Sequence, residues 1–482
     1  MTIIDYIIKF VEFQVKIMKN ILFYDIVYNG DDNMNSNIKF IIVGIVMIIG
    51  FSILGYYELI VKPNKHEENP IVEKKDDEDK DNNQTEDPSI TTKLNVNEFD
   101  YKLIKEVNAN YTDNYLISPM SIGYALSILK EGASNKTKSQ LSVLLNNYKV
   151  DETYSIKNRI GIANTLFIRE ENRKYISDNY ITKIQNNYNS DLLIDEFKTP
   201  KVINDWISEK TFNMINNTIK SLSSEFTLGI ANAIAIDVEW KNKFECTSTR
   251  EKEFTLSNGK KINTPMMSSS NDAYYIESNL AKGIIKDYKI YNKNTGDEVT
   301  QEDENTVALE YIAILPNNDI REYIGNFNNN ELNRLLNSKK EANETTDINY
   351  SIPRYTYDFN YDKFPNSLRL LGLEDMFVPA VADFSNMLSD TANKEKVQLY
   401  VSDAIHKSHI EFNENGTKAA AVTVIIMDKN MAIQPEKESI NIEFNKPFLY
   451  IIKEKNKNKI WFFGTVYTPD KWTNDNKNCN VR

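Results

Sequence analysis

One segment restricts the possible folds of this chain more than any other. Residues 411–427 read EFNENGTKAAAVTVIIM and run directly into 428–438, DKNMAIQPEKE. At period two, Thr417, Ala419, Ala421, Thr423, Ile425 and Met427 point one way. Lys418, Ala420, Val422, Val424, Ile426 and Asp428 point the other. Both faces are largely small or apolar, the pattern of a strand covered on both sides within a sheet. The polar continuation has the composition of an exposed loop. Two readings fit: an ordinary strand and turn, or a segment that is loop in one state and strand in another.

The rest of the chain divides by composition. Residues 1–37 form a short N-terminal segment in which 3–28 alternate apolar residues with lysines, as an interfacial amphipathic helix does. Within 38–61 lies an uncharged apolar run, 40–57, of about 18 residues, which reads as one membrane-spanning helix. Lysines flank it on both sides, so charge leaves the orientation open; the working topology puts the short N-terminus inside and the long C-terminal body outside. Residues 62–95 form an acidic linker rich in Asp, Glu, Asn and Lys, with too little apolar surface to offset the entropy of ordering. Residues 96–470 read as one globular body, and 471–482 as a polar tail.

Within the body, 97–109, 121–130 and 202–215 carry helical periodicity. Strand patterns occupy 163–168, 232–238, 307–314, 440–444 and 459–466. Helices come first and strands dominate later, which suggests an α+β fold rather than a regular βαβ repeat.

Few chemistries remain open. There is no P-loop, no Gly-x-Gly-x-x-Gly after a strand and no Gly-x-Ser-x-Gly elbow. With three histidines, His66, His406 and His409, a Ser-His-Asp triad has few possible centres. Neither they nor the two cysteines show metal-ligand spacing. A net charge of −12 argues against nucleic acid as a partner. Cys246 and Cys479 favour two free thiols over a disulfide framework, with a Cys246–Cys479 bridge as the alternative.

A series of motifs then points to a family. Glu414, Asn415, Gly416 and Thr417 precede the alanine run; Leu116 to Ala133 read LISPMSIGYALSILKEGA, with Thr137 and Gln140-Leu141 beyond. Ala163-Asn164, Leu166-Phe167, Ile203-Asn204, Trp206-Ile207 and Thr211 follow. Next come Asn232 to Trp240, then Phe244, Thr249, Phe254, Gly259 and Pro265-Met266-Met267. Leu371-Gly372, Met376-Phe377 and Ala382 to Ser385 lead to Asn445-Lys446-Pro447-Phe448 and Trp461 to Gly464. In this order, across 97–470, they resemble the serpin family of serine protease inhibitors.

The resemblance implies helices packed around three β-sheets and an exposed reactive-centre loop. It implies a hinge at Glu414, Gly416, Thr417, Ala419, Ala420 and Ala421, a shutter cluster at Ser118, Ser121, Asn232 and His406, and a breach at Trp240 and Arg354, with Arg354 pairing Glu414. It implies a suicide-type inhibitor of a serine or cysteine protease, with no catalytic residues, metal or cofactor of its own. The alternative is a non-inhibitory carrier, chaperone or adhesin. Counting from Glu414 puts the reactive bond at Asn430–Met431, with cleavage after Lys429 or Met431 as alternatives. The sequence departs from the family at Lys418, where an acid is usual, at Asn213, where Gly is common, and at 292–306, an acidic enlarged loop. The stretch between the alanine run and Pro447 is also longer than usual. Together these features lead us to expect a single-pass membrane protein with its serpin domain outside the cell.

Overall fold

The strand Thr306–Pro316, TVALEYIAILP, is buried at every position. A continuous apolar run of that kind needs cover on both faces. It lies at the centre of an antiparallel sheet, ordered Leu116–Ile117, Ile460–Val466, Phe448–Glu454, Thr306–Pro316, Ala281–Asn292 and Glu298–Val299, with Tyr274–Glu277 also paired to Ala281–Asn292. One charged pair interrupts the apolar register. Glu310 faces Lys453 across the strands, and the carboxylate accepts from the buried ammonium at 3.0 Å, so neither charge is left alone.

The computed structural model describes residues 95–150, 156, 159–216, 219–222, 228–402, 404–417, 437–457 and 459–473. The segment 1–37 expected to be interfacial, the apolar run 40–57, most of the linker, Ala419 to Ala421 of the expected hinge, and Lys429, Asn430 and Met431 at the expected reactive bond lie outside them.

A second sheet has the order Glu438–Glu443, Thr346–Pro353, Lys261–Ser270 and Arg250–Thr255. The third layer contains the site. Its one part has the order Ser190–Asp195, Ile160–Arg169, Leu228–Ile236; the other Tyr355–Asn360, Lys407–Phe412, Gly416–Thr417, Val238–Glu239. Strand Leu228–Ile236 continues through Asp237 into Val238–Glu239, so the chain itself joins the two parts.

Helices cover these sheets for local reasons. Glu98–Asn110 starts at Asn97, whose side chain accepts from the Phe99 N–H, and buries Phe99, Leu103, Ile104 and Val107 on one stripe. Pro119–Gly132 has Pro at its first turn and Ser118 as its cap. The helical pattern over 202–215 is realised as Lys201–Lys210. It stops early because Phe212 and Asn213 have φ of 53° and 60°. Asn tolerates the left-handed region better than other side chains, which gives Asn213 a reason to stand where Gly is common. The acidic stretch 292–306 is in part a hairpin: Glu298 and Val299 pair back onto Tyr291 and Ile290.

Candidate functional site: the hinge and the seam of the central sheet

The site begins with a turn. After strand Lys407–Phe412 the chain reverses, and the Asn413 N–H donates to the Gly416 carbonyl at 3.1 Å. Gly416 and Thr417 then enter the sheet. Thr417 pairs with Phe412 on one side and Val238 on the other, and Gly416 pairs with Glu239. Two hinge residues therefore sit as a short strand between Lys407–Phe412 and Val238–Glu239. Glycine is required at 416 by close approach, because a Cβ there would lie 2.1 Å from the Val238 carbonyl oxygen.

Around this wedge the side chains form a clamp. Glu414 is 4% exposed, and its carboxylate accepts from Arg354 Nε at 2.7 and 2.9 Å, from the Arg354 Nη2 group, and from Thr249 Oγ1 at 2.5 Å. A buried carboxylate tolerates desolvation only with partners of this kind. Arg354 is held in turn, since its carbonyl accepts from the Asp470 N–H at 3.0 Å. Trp240 is fully buried. Its backbone N–H donates to the Asn415 carbonyl and its indole Nε1–H to the Asn413 carbonyl, each at 2.9 Å. The indole stacks on Tyr288 with ring centroids 4.3 Å apart, and the Tyr288 hydroxyl lies 2.6 Å from Thr417 Oγ1. Burial pushes the Tyr288 phenol far above its usual range, so it stays neutral.

The other end of the seam is different. Ala231 forms a parallel bridge directly with Ile405, with no residue between the strands. Beneath it the Ser118 N–H donates to His406 Nε2 at 3.3 Å, and the Ser121 N–H donates to Ser118 Oγ at 3.2 Å. Burial alone lowers the His406 pKa to about 4. The imidazole is thus neutral, as it must be for Nε2 to accept. Ser121 Oγ is buried and has no hydrogen-bond partner among the described residues. Asn232 is placed by its backbone, paired with Asn164.

The structure brings Glu414, Gly416, Thr417, Trp240 and Arg354 together at one end of the seam, and Ser118, Ser121 and His406 at the other. Sequence reasoning missed Tyr288 and Asn413, and it named Thr249 and Asn415 among the family motifs without their contacts; these four complete the clamp. Cys246, three residues before Thr249, is disulfide-bonded, and no cysteine among the described residues is free. This corrects the preference for two free thiols. Cysteine count and spacing test for a framework but say nothing about a single pair brought together by the fold; the other cysteine of the chain, Cys479, lies outside the described residues.

Comparison with known proteins decides the family. The serpin (serine protease inhibitor) family model matches residues 94–469. The chain is a serpin. It is 29% identical over 413 residues to an uncharacterized serpin-like protein of Methanosarcina acetivorans, covering 80% of this chain and 87% of that protein. It is 27% identical over 401 residues to the leukocyte elastase inhibitor of Xenopus tropicalis, covering 77% and 97%. The crystal structure of a thermophilic serpin, tengpin, in the native state matches with a TM-score of 0.61 at 27% identity, covering 78% and 96%. The body of this serpin shares that fold.

Proposed function

We propose that this serpin inhibits a serine or cysteine protease by a suicide mechanism in which the segment after Thr417 becomes a strand of the central sheet. The observation that carries this reading is the asymmetric seam: Gly416 and Thr417 already lie between the strands at one end, while Ala231 and Ile405 touch at the other. The sequence beyond, KAAAVTVIIM, is small and apolar enough to continue the same strand.

The chemistry is supplied by the protease. Its nucleophile attacks the carbonyl before the reactive bond, which we place at Asn430–Met431, with Lys429 the next choice for the acylated residue. The peptide bond breaks, the amine leaves with a proton as a new N-terminus, and the acyl bond to the protease remains. The freed segment then extends the strand begun at Gly416. Each residue added contributes backbone hydrogen bonds worth on the order of 1 kcal/mol net, plus apolar burial. Thr417, already between the strands, carries no charge to desolvate there, which favours inhibition over a carrier role.

The apolar run 40–57 would hold the molecule on a membrane with the serpin domain outside the cell. The disulfide at Cys246 supports an oxidising compartment.

The test is incubation of the full-length protein with trypsin-like, elastase-like and asparagine-directed proteases. The reading predicts a complex that survives denaturing electrophoresis, with a cut between Asp428 and Ala432. Cleavage without any complex across the panel would rule out inhibition of these classes and favour the carrier reading.

A further inference from the structure

The second sheet curls so that its outer strands meet. The Thr255 N–H donates to the Asn445 carbonyl at 2.8 Å, and Lys252 Nζ lies 2.9 Å from the Glu443 carboxylate, although their strands occupy opposite edges. The curled sheet and the ends of strands Ala281–Asn292 and Thr306–Pro316 line a cleft of about 660 Å³, within the usual range for small-ligand sites.

Its lining is unusual for an acidic protein. Three lysines, Lys252, Lys282 and Lys446, reach it against one acid, Glu443. Glu443 is taken by Lys252. Glu277, directly across the strand pair from Lys282, is taken by Lys340 at 2.7 Å. Lys446 is fixed by donating to the Asn317 carbonyl at 3.1 Å. Among the described residues, neither Lys282 nor Lys446 has a carboxylate partner, so two positive charges stand uncompensated on a chain of net charge −12. The same cleft is lined by a ladder of neutral polar groups. Ser270 Oγ donates to Asn349 Oδ1 at 2.7 Å, Asn349 Nδ2 to Asn441 Oδ1 at 3.2 Å, and Asn441 Nδ2 to the Ser439 carbonyl at 3.3 Å, so that each amide keeps a second N–H for a ligand.

We infer that this cleft binds an anionic sugar, its charged group between Lys282 and Lys446 and its hydroxyls on the Ser270–Asn349–Asn441 ladder. Two lysines with no carboxylate partner select the anion, whether phosphate or carboxylate. A lining of hydroxyls and amides suits a polyol better than an apolar ligand, for which these groups would be left unpaired. The inference does not depend on the inhibitory reading, because no residue of the hinge or its clamp lines the cleft.

The experiment is calorimetric titration of the full-length protein with glucose 6-phosphate, glucuronate and glucose. At least one anionic sugar should bind at least about tenfold more tightly than glucose, and the tighter of the two identifies the ion. Lys282→Glu and Lys446→Glu should each weaken that binding by about tenfold or more, and Lys282→Gln by less. Lys138→Glu, on an exposed helix face elsewhere, should leave it unchanged. Equal affinity for glucose and the anionic sugars, no binding by any of the three, or binding unchanged by Lys282→Glu or by Lys446→Glu would overturn the proposal.

Discussion

The two ends of the central seam are closed in opposite ways. At the Trp240 end the strands are parted, and the gap is filled by Gly416 and Thr417 under a buried ion pair, an indole and a phenol. At the His406 end the strands touch, and beneath them stand neutral groups, one of which, Ser121 Oγ, has no partner among the described residues. A strand can enter such a sheet from only one end. On the proposed mechanism the clamp would fix where entry begins, and the closed end is where an entering strand would do the most work. Unpaired polarity there lowers the cost of parting, because little is lost when the contact opens.

The largest effect should come from breaking the clamp. Glu414→Ala strands Arg354 in a buried site and Arg354→Ala strands Glu414; each should cost about 3–5 kcal/mol in urea unfolding. The double variant should cost less than the sum of the two, because no lone charge remains. Additive losses would mean that the pair is not the coupled unit described here.

The closed end should respond to acid. Folded His406 stays neutral to about pH 4, whereas an unfolded imidazole takes up a proton below about pH 6.5. Between these values the unfolded chain binds more protons. Stability is therefore full above pH 6.5 and declines as the pH falls toward 4, by about 3 kcal/mol in all. His406→Gln should flatten that part of the profile relative to the parent; an unchanged slope would assign it to other groups.

Smaller changes probe the wedge. In Gly416→Ala the new methyl meets the Val238 carbonyl; a loss of about 1–3 kcal/mol is expected, with faster proteolysis near residue 416 as the hinge leaves the sheet. Tyr288→Phe removes one buried hydrogen bond to Thr417 and should cost about 1 kcal/mol. If Tyr288→Phe proved more damaging than Gly416→Ala, the hydroxyl contact rather than the backbone pairing would be what holds the hinge.

The two ends also differ in how much of them could be read from the sequence. Gly416, Thr417 and the alanines stand out because a run acceptable on both faces of a strand yet joined to a polar loop is uncommon. Thr306–Pro316 and Ile460–Val466 are equally plain, being long apolar runs rich in β-branched or aromatic residues. Arg354, His406 and Ser118 carry no local signal of their own and emerge only through family resemblance. Tyr288 was not legible at all: a tyrosine in an apolar strand looks like core, and its partner Thr417 is 129 residues away. Thr249 is legible as a family motif, but its bond to Glu414 is not. The helix over 202–215 was read too long, since the apolar periodicity continues past Lys210 while the backbone at Phe212 and Asn213 turns left-handed.

The most direct test of the seam is the melting temperature before and after a single cut within 418–436, mapped by mass spectrometry. Completing a strand begun by Gly416 and Thr417 adds on the order of ten backbone hydrogen bonds, so the cut protein should melt higher by on the order of 20 °C. A cut protein that melts at or below the temperature of the intact one would contradict the account.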